Sequence, residues 1–412
     1  MRTKGKDRSG TAKRQGDAPR PLVFAVLRQI WEERHLSRAE IARRTGLSRS
    51  TVSEIVTALL GTGLVLEVGD GPSRGGRRPV LLAFRDDAYV ILGVDMGAKH
   101  VNVVLSDLRG HVLAGERREH PVRADPSGTQ RLILELCDAC LAAWGGSRRR
   151  LLGVGLAVPS PVQVGKPDRL SEVVMPSWRG QNAIEELQAR LGVPLFVDND
   201  ANLGALAERW WGAGRGVPDF TYIKVATGVG AGHMIRGEIY RGATGVAGEI
   251  GHLAMDPEGA PCICGNRGCL VTLVGAQALV ARATSLLPQF PGSPLHRGEL
   301  TIQALEDAAL ADDPLALQVV QEAAQYLGTA VASVLNLMNP ARVIIGGGLA
   351  RLKECLLVPL RETVLQRTLV QSVAASDILT SELGPQDIAL GAVTYVLDEA
   401  LTDPRLFPGV TT

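Results

Sequence analysis

The chain has 412 residues, 45% hydrophobic and 21% charged with 4% aromatic, which is too long for one compact core and too apolar for a disordered or collagen-like protein. No apolar run approaches the roughly 18 to 20 residues a membrane helix needs, and the basic N-terminus lacks the apolar stretch of a secretory signal, so a cytoplasmic protein with no membrane segment is expected. A formal net charge of +1 conceals a split: residues 1–85 hold 17 Lys+Arg against 8 Asp+Glu, net +9, leaving −8 for the rest. A basic head on an acidic body suggests a polyanion-binding module joined to a domain that binds something else.

Residues 1–20 are rich in Gly, Lys and Arg without apolar periodicity and are expected to be a disordered basic tail. From Leu22 to His35 the apolar residues Leu22, Val23, Val26, Leu27, Ile30 and Trp31 recur at helical spacing. Ser37 with Glu40 forms a capping box that opens a short helix ending at Gly46. Ser48 caps a third helix whose Val52, Ile55, Val56 and Leu59 make one stripe, ended by Gly61 and Gly63. Helix, Gly turn, helix is an arrangement that reads duplex DNA. The first turn of the third helix would present Arg49, Ser50, Thr51 and Ser53 to base edges and phosphates in a major groove. Two strands, LVLEV and VLLAF, then flank GDGPSRGGRRP, a wing whose Arg74, Arg77 and Arg78 are placed to clamp phosphate or enter a minor groove. The DNA-binding domain is expected over residues 21–86.

From Tyr89 the pattern turns to strands. YVILGVDMG, HVNVVLSDL and HVLAGERRE come first, and buried-type strands LLGVGLAV (151–158), PLFVD (194–198) and RVIIGGG (342–348) follow among helical stretches. A second set begins with FTYIKVATGVGAGHMI (220–235), so residues 87–412 are expected to form a mixed α/β body of two lobes with a cleft between them. The helical 314–338 region would serve as core or as an interface.

Six cysteines in a chain expected to be cytosolic argue against a disulfide framework. Cys262-x-Cys264-x4-Cys269, with Gly265 and Gly268 giving the turns, puts three thiolates on one loop, and His252 can complete a tetrahedron. Those four ligands point to Zn2+ in a closed structural site over 252–269. Cys137 and Cys140 lie at i and i+3 in an apolar helical run and are expected in the core, while Cys355 has no visible partner.

GVDMG (93–97), VDNDANLGALAE (197–208), TGVGAG (227–232), GEIGH (248–252), CICGNRGC (262–269) and IIGGGL (344–349), in this order, resemble the repressor, open reading frame and kinase (ROK) family. The likeness covers nearly the whole chain, including the winged head of its regulator members. It implies a winged helix-turn-helix followed by a two-lobed actin-like, sugar-kinase-like (RNase H-like) domain. It also implies a sugar-sized ligand between the lobes, a structural zinc and, in kinase members, ATP beside the sugar. Asn199, Asp200, Glu249 and His252 match the family's ligand-binding positions, with His252 holding zinc through one ring nitrogen and facing the sugar with the other. In kinase members the residue matching Asp200 takes the proton from the attacking hydroxyl. An Asn-Asp pair opening a helix also fits simple capping.

The kinase pattern is only partly kept. Asp95, Gly97, Thr227, Gly228, Gly230 and the Gly346–Gly348 run remain, yet Asp-x-Gly-Gly-Thr reads Asp95-Met96-Gly97-Ala98-Lys99, so a long cation replaces a small phosphate-facing hydroxyl. The Glu expected after Gly-Cys-Leu is Val271, and the Pro-Gly of the sugar-side loop is Pro159-Ser160. The reading is a sugar-responsive, DNA-binding repressor of carbohydrate-metabolism genes, a homodimer or homotetramer that is not an enzyme. Its alternative is an active ATP-dependent sugar kinase carrying a DNA-binding head.

Overall fold

The computed structural model describes residues 20–72, 78–163, 166–180, 183–368 and 377–410; the tail up to residue 19 and the wing residues Arg74 and Arg77 lie outside them. Internal contacts divide the chain into a unit of residues up to Ala88 with Asp398 onward, and a unit of Tyr89–Leu397.

The first unit begins with α1 (Arg20–Glu32), β1 (Leu36–Ser37), α2 (Arg38–Thr45) and α3 (Arg49–Thr62), then β2 (Val65–Asp70) and β3 (Val80–Phe84). The caps are those the sequence predicts. Ser37 Oγ accepts the Glu40 amide at 3.3 Å while the Glu40 carboxylate accepts the Ser37 amide at 2.9 Å, and Ser48 Oγ accepts the Thr51 amide at 3.1 Å. Gly46 and Gly63 close α2 and α3 in the left-handed region, φ 71° and 75°, where a Cβ is disfavoured. Val26, Leu27 and Ile30 of α1, Ile41 of α2 and Val52, Ile55, Val56 and Leu59 of α3 are buried together with Leu82 of β3. The sheet, ordered β1-β3-β2, is a helix-turn-helix wing with β2 and β3 antiparallel.

The second unit builds the same sheet twice. Its first half contains β4 (Val90–Met96), β5 (His100–Ser106), β6 (Val112–Glu119), α4 (Pro126–Trp144) and β7 (Leu151–Val158). A small hairpin, β8 (Val162–Gln163) with β9 (Lys166–Leu170), follows, then α5 (Ala183–Leu191), β10 (Leu195–Asn199) and α6 (Asp200–Trp211). Its second half contains β11 (Phe220–Val225), β12 (Val229–Ile235), β13 (Glu238–Ile239), α7 (Val271–Val274), α8 (Ala276–Leu286), α9 (Ile302–Leu310), α10 (Pro314–Met338), β14 (Arg342–Gly346), α11 (Glu354–Arg367), β15 (Ile378–Thr380) and α12 (Asp387–Thr402). The sheets are ordered β10-β7-β4-β5-β6 and β13-β12-β11-β14-β15. In each, three antiparallel strands come first in sequence and two parallel strands, reached through helical crossovers, extend the far side of the first.

The two halves are locked by exchanging their closing helices. A Cβ at Gly93 of β4 would collide with the Ala389 carbonyl of α12, and one at Gly155 of β7 with the Ala392 carbonyl, so the last helix of the second half lies against the first sheet. Conversely, a Cβ at Gly232 of β12 would strike the Ala201 carbonyl of α6. Glycine is needed where helix backbone approaches strand this closely.

Cys137 and Cys140 of α4 are fully buried, and burial pushes the Cys137 thiol up strongly and that of Cys140 to about 11, so both behave as apolar side chains. One face of α10, from Leu315 through Leu335, fills the core of the second half, while Tyr326 and Leu337 remain exposed.

Candidate functional site

Strand β10 ends and α6 begins at Asp198-Asn199-Asp200, and each of the three carboxyl or amide groups has a different task. Asn199 caps α6: its Oδ1 accepts the amides of Ala201 at 2.9 Å and Asn202 at 3.4 Å, and its Nδ2 donates to the Ser160 carbonyl at 3.2 Å. The capping role that competes with ligand binding at this position is therefore present. Asp198 accepts Arg241 through Nε at 3.0 Å and Nη2 at 2.6 Å, and Asn202 Nδ2 at 3.0 Å. Asp200 accepts Lys224 Nζ from β11 at 2.6 Å, with the two side chains only 11% and 14% exposed. Burial opposes the charge of Lys224, but Asp200, Asp95 and Asp387 outweigh it and raise the ammonium above its ordinary value.

Asp95, 4% exposed at the end of β4, accepts His100 Nε2 at 2.9 Å through Oδ2, while its Oδ1 has no partner. Burial alone would raise this carboxyl; the His100 hydrogen bond and the Lys224 charge hold it below its ordinary value. Lys99, expected to intrude on the phosphate position, is exposed instead, and it is the next residue that turns inward. The His100 ring lies so close over Gly97 that a Cβ there would collide with it.

On the second half, Glu249 precedes and His252 ends a short 3-10 turn (Ile250–His252). Burial, with the Asp200 charge behind it, lifts Glu249 to about 7. His252 turns Nδ1 to Cys262 Sγ at 3.5 Å and Nε2 to Glu249 Oε2 at 3.9 Å, and burial lowers its pKa, favouring the neutral imidazole a metal requires. Cys264 and Cys269 sulfurs are 3.6 Å apart, and the four donor atoms of His252, Cys262, Cys264 and Cys269 all lie within 4.8 Å of one another. The Asn266 amide holds the Cys264 thiol below its ordinary value, whereas burial and the neighbouring sulfurs push that of Cys269 up to about 12. Four soft or borderline donors gathered this closely could hold a metal ion, whose charge would favour the thiolate forms.

The surviving glycines have packing duties of their own. A Cβ at Gly346 would meet the ring of Tyr222, whose hydroxyl donates to Asp387 Oδ2 at 2.7 Å, and one at Gly347 would meet the Val225 carbonyl. Burial raises Asp387 to about 6. Val271 opens α7 and supplies no polar group, and Ser160 is buried, its Oγ accepting the Ser171 amide at 2.9 Å.

In the first unit, Arg49, Ser50 and Ser53 are exposed on the N-terminal half of α3 and Thr51 is half-buried. Ser48 Oγ also contacts the hydroxyls of Ser50 and Thr51 at 2.8 Å each, fixing the turn that carries them. Arg78 is exposed at the end of the wing. His100, Lys224 and Arg241 carry no motif that singles them out in the sequence, and their partners are up to 43 residues away; Asp198, inside VDNDANLGALAE, is the one of these pairing residues with a sequence signal.

Residues 91–399 match the ROK family and residues 20–65 match a winged helix-turn-helix DNA-binding family. Among curated proteins, the chain is 31% identical over 376 residues to the xylose repressor of Bacillus subtilis (strain 168), covering 91% of this chain and 94% of that one. It is 30% identical over 374 residues to the DNA-binding transcriptional dual regulator NagC of Escherichia coli (strain K12), covering 90% and 91%. Among solved structures, a ROK family transcriptional regulator homologous to the E. coli MLC protein superposes with a TM-score of 0.78 at 25% identity, covering 94% of this chain and 97% of that one. A ROK family glucokinase from Streptomyces griseus with glucose and AMPPNP superposes at 0.67 and 27% identity, covering 74% and 98%. Among the described residues, no helix is long and apolar enough to cross a membrane. With its helix-turn-helix wing and twice-built sheet, the chain belongs to the ROK family.

Proposed function

We propose that this chain is a sugar-responsive transcriptional repressor of carbohydrate-metabolism genes, whose kinase-like body binds a sugar that changes operator affinity without phosphorylating it. The observation that carries the reading is the filled phosphoryl-transfer position. Lys224 neutralises Asp200, the carboxylate that would act as base, and His100 covers Gly97 while engaging Asp95. A carboxylate oxygen tied to an ammonium at 2.6 Å is not free to meet an attacking hydroxyl, and a nucleotide's phosphates and metal would have to displace the imidazole. The likeness to named repressors over nine-tenths of the chain supports the same conclusion.

On the DNA side, the first turn of α3 with Arg49, Ser50, Thr51 and Ser53 reads bases, and Arg74, Arg77 and Arg78 of the wing supply backbone or minor-groove contacts. In the body, Asn199, Asp200, Glu249 and His252 contact the sugar. His252, Cys262, Cys264 and Cys269 hold a structural zinc. Zn–S bonds of about 2.3 Å and a Zn–N bond of about 2.0 Å would place tetrahedral ligand atoms about 3.8 Å apart for two sulfurs and about 3.5 Å for sulfur and nitrogen. The distances of 3.6 Å and 3.5 Å fit that tetrahedron. Bound there, zinc supplies charge neutralisation and rigidity; His252 then presents its other nitrogen toward Glu249 in a fixed direction.

Sugar binding shifts the population toward a closed body and, in a dimer, changes how two recognition helices meet their half-sites. Two assays on the purified cytoplasmic chain test this together: fluorescence anisotropy with promoter fragments of sugar-utilisation genes, and a coupled ATP assay across a sugar panel. Operator binding with turnover below 1% of ordinary sugar-kinase rates (on the order of 10 s⁻¹) is expected. Rapid turnover, or indifference to every promoter fragment, contradicts it.

A further inference from the structure

Helix α10 ends before the sheet it packs on does. Its last buried residue is Leu335, and the chain turns away at Asn339, φ 47°, toward β14. The strand positions beyond that end have no helix over them, and a cavity of about 400 Å3 opens there between β11, β12 and loop 338–341. Alternation along the strands decides what faces it. Thr221 lies opposite His233 in the antiparallel register, and Asp219 and Ile235 continue the same face one step further, the face that turns Ile223 and Ala231 into the α10 core. Tyr222 and Lys224 belong to the other face, with α6. The cavity is therefore separate from the cluster around Asp200, although Thr221 and Lys224 are only about 10 Å apart along β11.

The polar groups that reach this cavity share one character. His233 is 5% exposed; its Nδ1 lies 2.9 Å from Thr221 Oγ, and among the described residues its Nε2 has no hydrogen-bond partner. Burial pushes the imidazole down to about 4, so it is uncharged at neutral pH. Asp219 accepts the Arg236 amide at 2.9 Å through Oδ1, and its other oxygen has no hydrogen-bond partner among the described residues. No Lys or Arg lines the cavity, and the carbonyl end of the 25-residue α10 adds partial negative charge. Met234, Ile235, Met338 and Pro340 supply an apolar wall.

A carboxylate, a neutral ring nitrogen and a helix C-terminus beside thioether and aliphatic surface are complementary to a cation with an apolar body. An ammonium that donates to Nε2 selects the tautomer in which Nδ1–H donates to Thr221 Oγ, and its other N–H groups remain for Asp219. A carboxylate or phosphate ligand would instead meet Asp219 with like charge and find no cation to offset it. We propose that this cavity is a second ligand site, for a small amphipathic ammonium or amidinium compound, distinct from the cluster around Asp200. Asp219 selects the charge of the ligand and His233 orients it.

The test uses the full-length chain, isotope-labelled at histidine and read by NMR, with three size-matched probes: benzylammonium, benzyl alcohol and benzoate. The His233 ring signal, assigned by its loss in His233→Gln, reports on the cavity itself. Benzylammonium is expected to shift that signal with a Kd of about 1 mM, the range open to so small a ligand, and to bind at least about tenfold tighter than benzoate. Asp219→Asn keeps an acceptor for the Arg236 amide; it should weaken benzylammonium by about tenfold while changing benzyl alcohol by less than about threefold. Ala341→Phe, at an exposed position on the rim, should fill the cavity and abolish the shift with every probe, and it carries the test should the first variant fail to fold. A His233 signal that benzylammonium does not move, benzoate that binds as tightly, or an unaltered benzylammonium affinity in either variant overturns the inference.

Discussion

Replacing Cys264 by Ser removes one of four metal ligands with almost no change of volume, so its effect isolates the metal. The loop from Leu253 to Gly268 is held by backbone ties, among them Met255 to Gly268, Cys262 to Asn266 and Gly268 to Ala260 at 2.8 Å each and Gly259 to Asp256 and Leu270 to Leu253 at 2.9 Å each, rather than by a packed apolar core. Of the four ligands only Cys269 is buried, and Ile263 between the first two cysteines is exposed. With so little apolar surface covered, the metal adds the remaining restraint on the loop. If the folded site holds zinc at a free concentration about a thousand times its Kd, the metal adds about 4 kcal/mol to stability. At roughly 2 °C per kcal/mol for a large domain, losing it lowers the melting temperature by about 8 °C. Metal analysis of the native protein should give one zinc per chain, and Cys264→Ser should give less than one-fifth of that, with the fall in melting temperature reproduced by a strong chelator on the native chain. Cys355→Ser, which removes a thiol outside the cluster, should change neither. A native protein free of zinc, or a Cys264→Ser variant that keeps both metal and melting temperature, would refute the reasoning.

Other perturbations address separate parts of the account. Asp387 has its pKa raised from the ordinary 3.8 to about 6 by burial, so its contribution to stability is fully present below pH 3.8 and lost as pH rises through 6. Relative to the native protein, Asp387→Asn should therefore gain stability between pH 4 and 7 by about 3 kcal/mol in urea unfolding; a difference that is flat or falls over that range would show the carboxyl is not so perturbed. Ser37→Ala breaks both arms of the α2 capping box and should cost about 1 kcal/mol of helix-turn-helix stability, read as a fall in melting temperature; no change would mean the box is idle. Arg49→Ala should alter which operator bases are preferred, while Arg77→Ala with Arg78→Ala should weaken all sequences alike and reduce the salt slope by about 2. Unaltered gel shifts for both would remove this surface from the interface.

Local chemistry was legible wherever neighbours in sequence are also neighbours in space. The Ser37–Glu40 box, the Ser48 cap and the Cys262–Cys269 loop can each be read from spacing alone because each closes within eight residues. So were β7 and β10, as short apolar runs. What the sequence did not disclose depends on long-range closure. Lys224 looks like one polar residue in a strand; it reaches Asp200 only because α6 crosses onto the second sheet, an approach made possible by Gly232. By spacing, Lys99 is the cation aimed at the phosphate position; the turn between β4 and β5 directs it outward and His100 inward. The exchange of α6 and α12 between halves rests on Gly93, Gly155 and Gly232, whose significance emerges only when the opposing carbonyl is known.

Coupling between the two ends of the molecule is the central claim, and it has a reciprocal form that one experiment can read. Measuring operator affinity with and without saturating sugar, and sugar affinity with and without operator, closes a thermodynamic cycle. The account predicts that sugar weakens operator binding about tenfold or more and that operator weakens sugar binding by the same factor, about 1.4 kcal/mol per tenfold. Operator and sugar that each bind, yet leave the other's affinity unchanged, would contradict it.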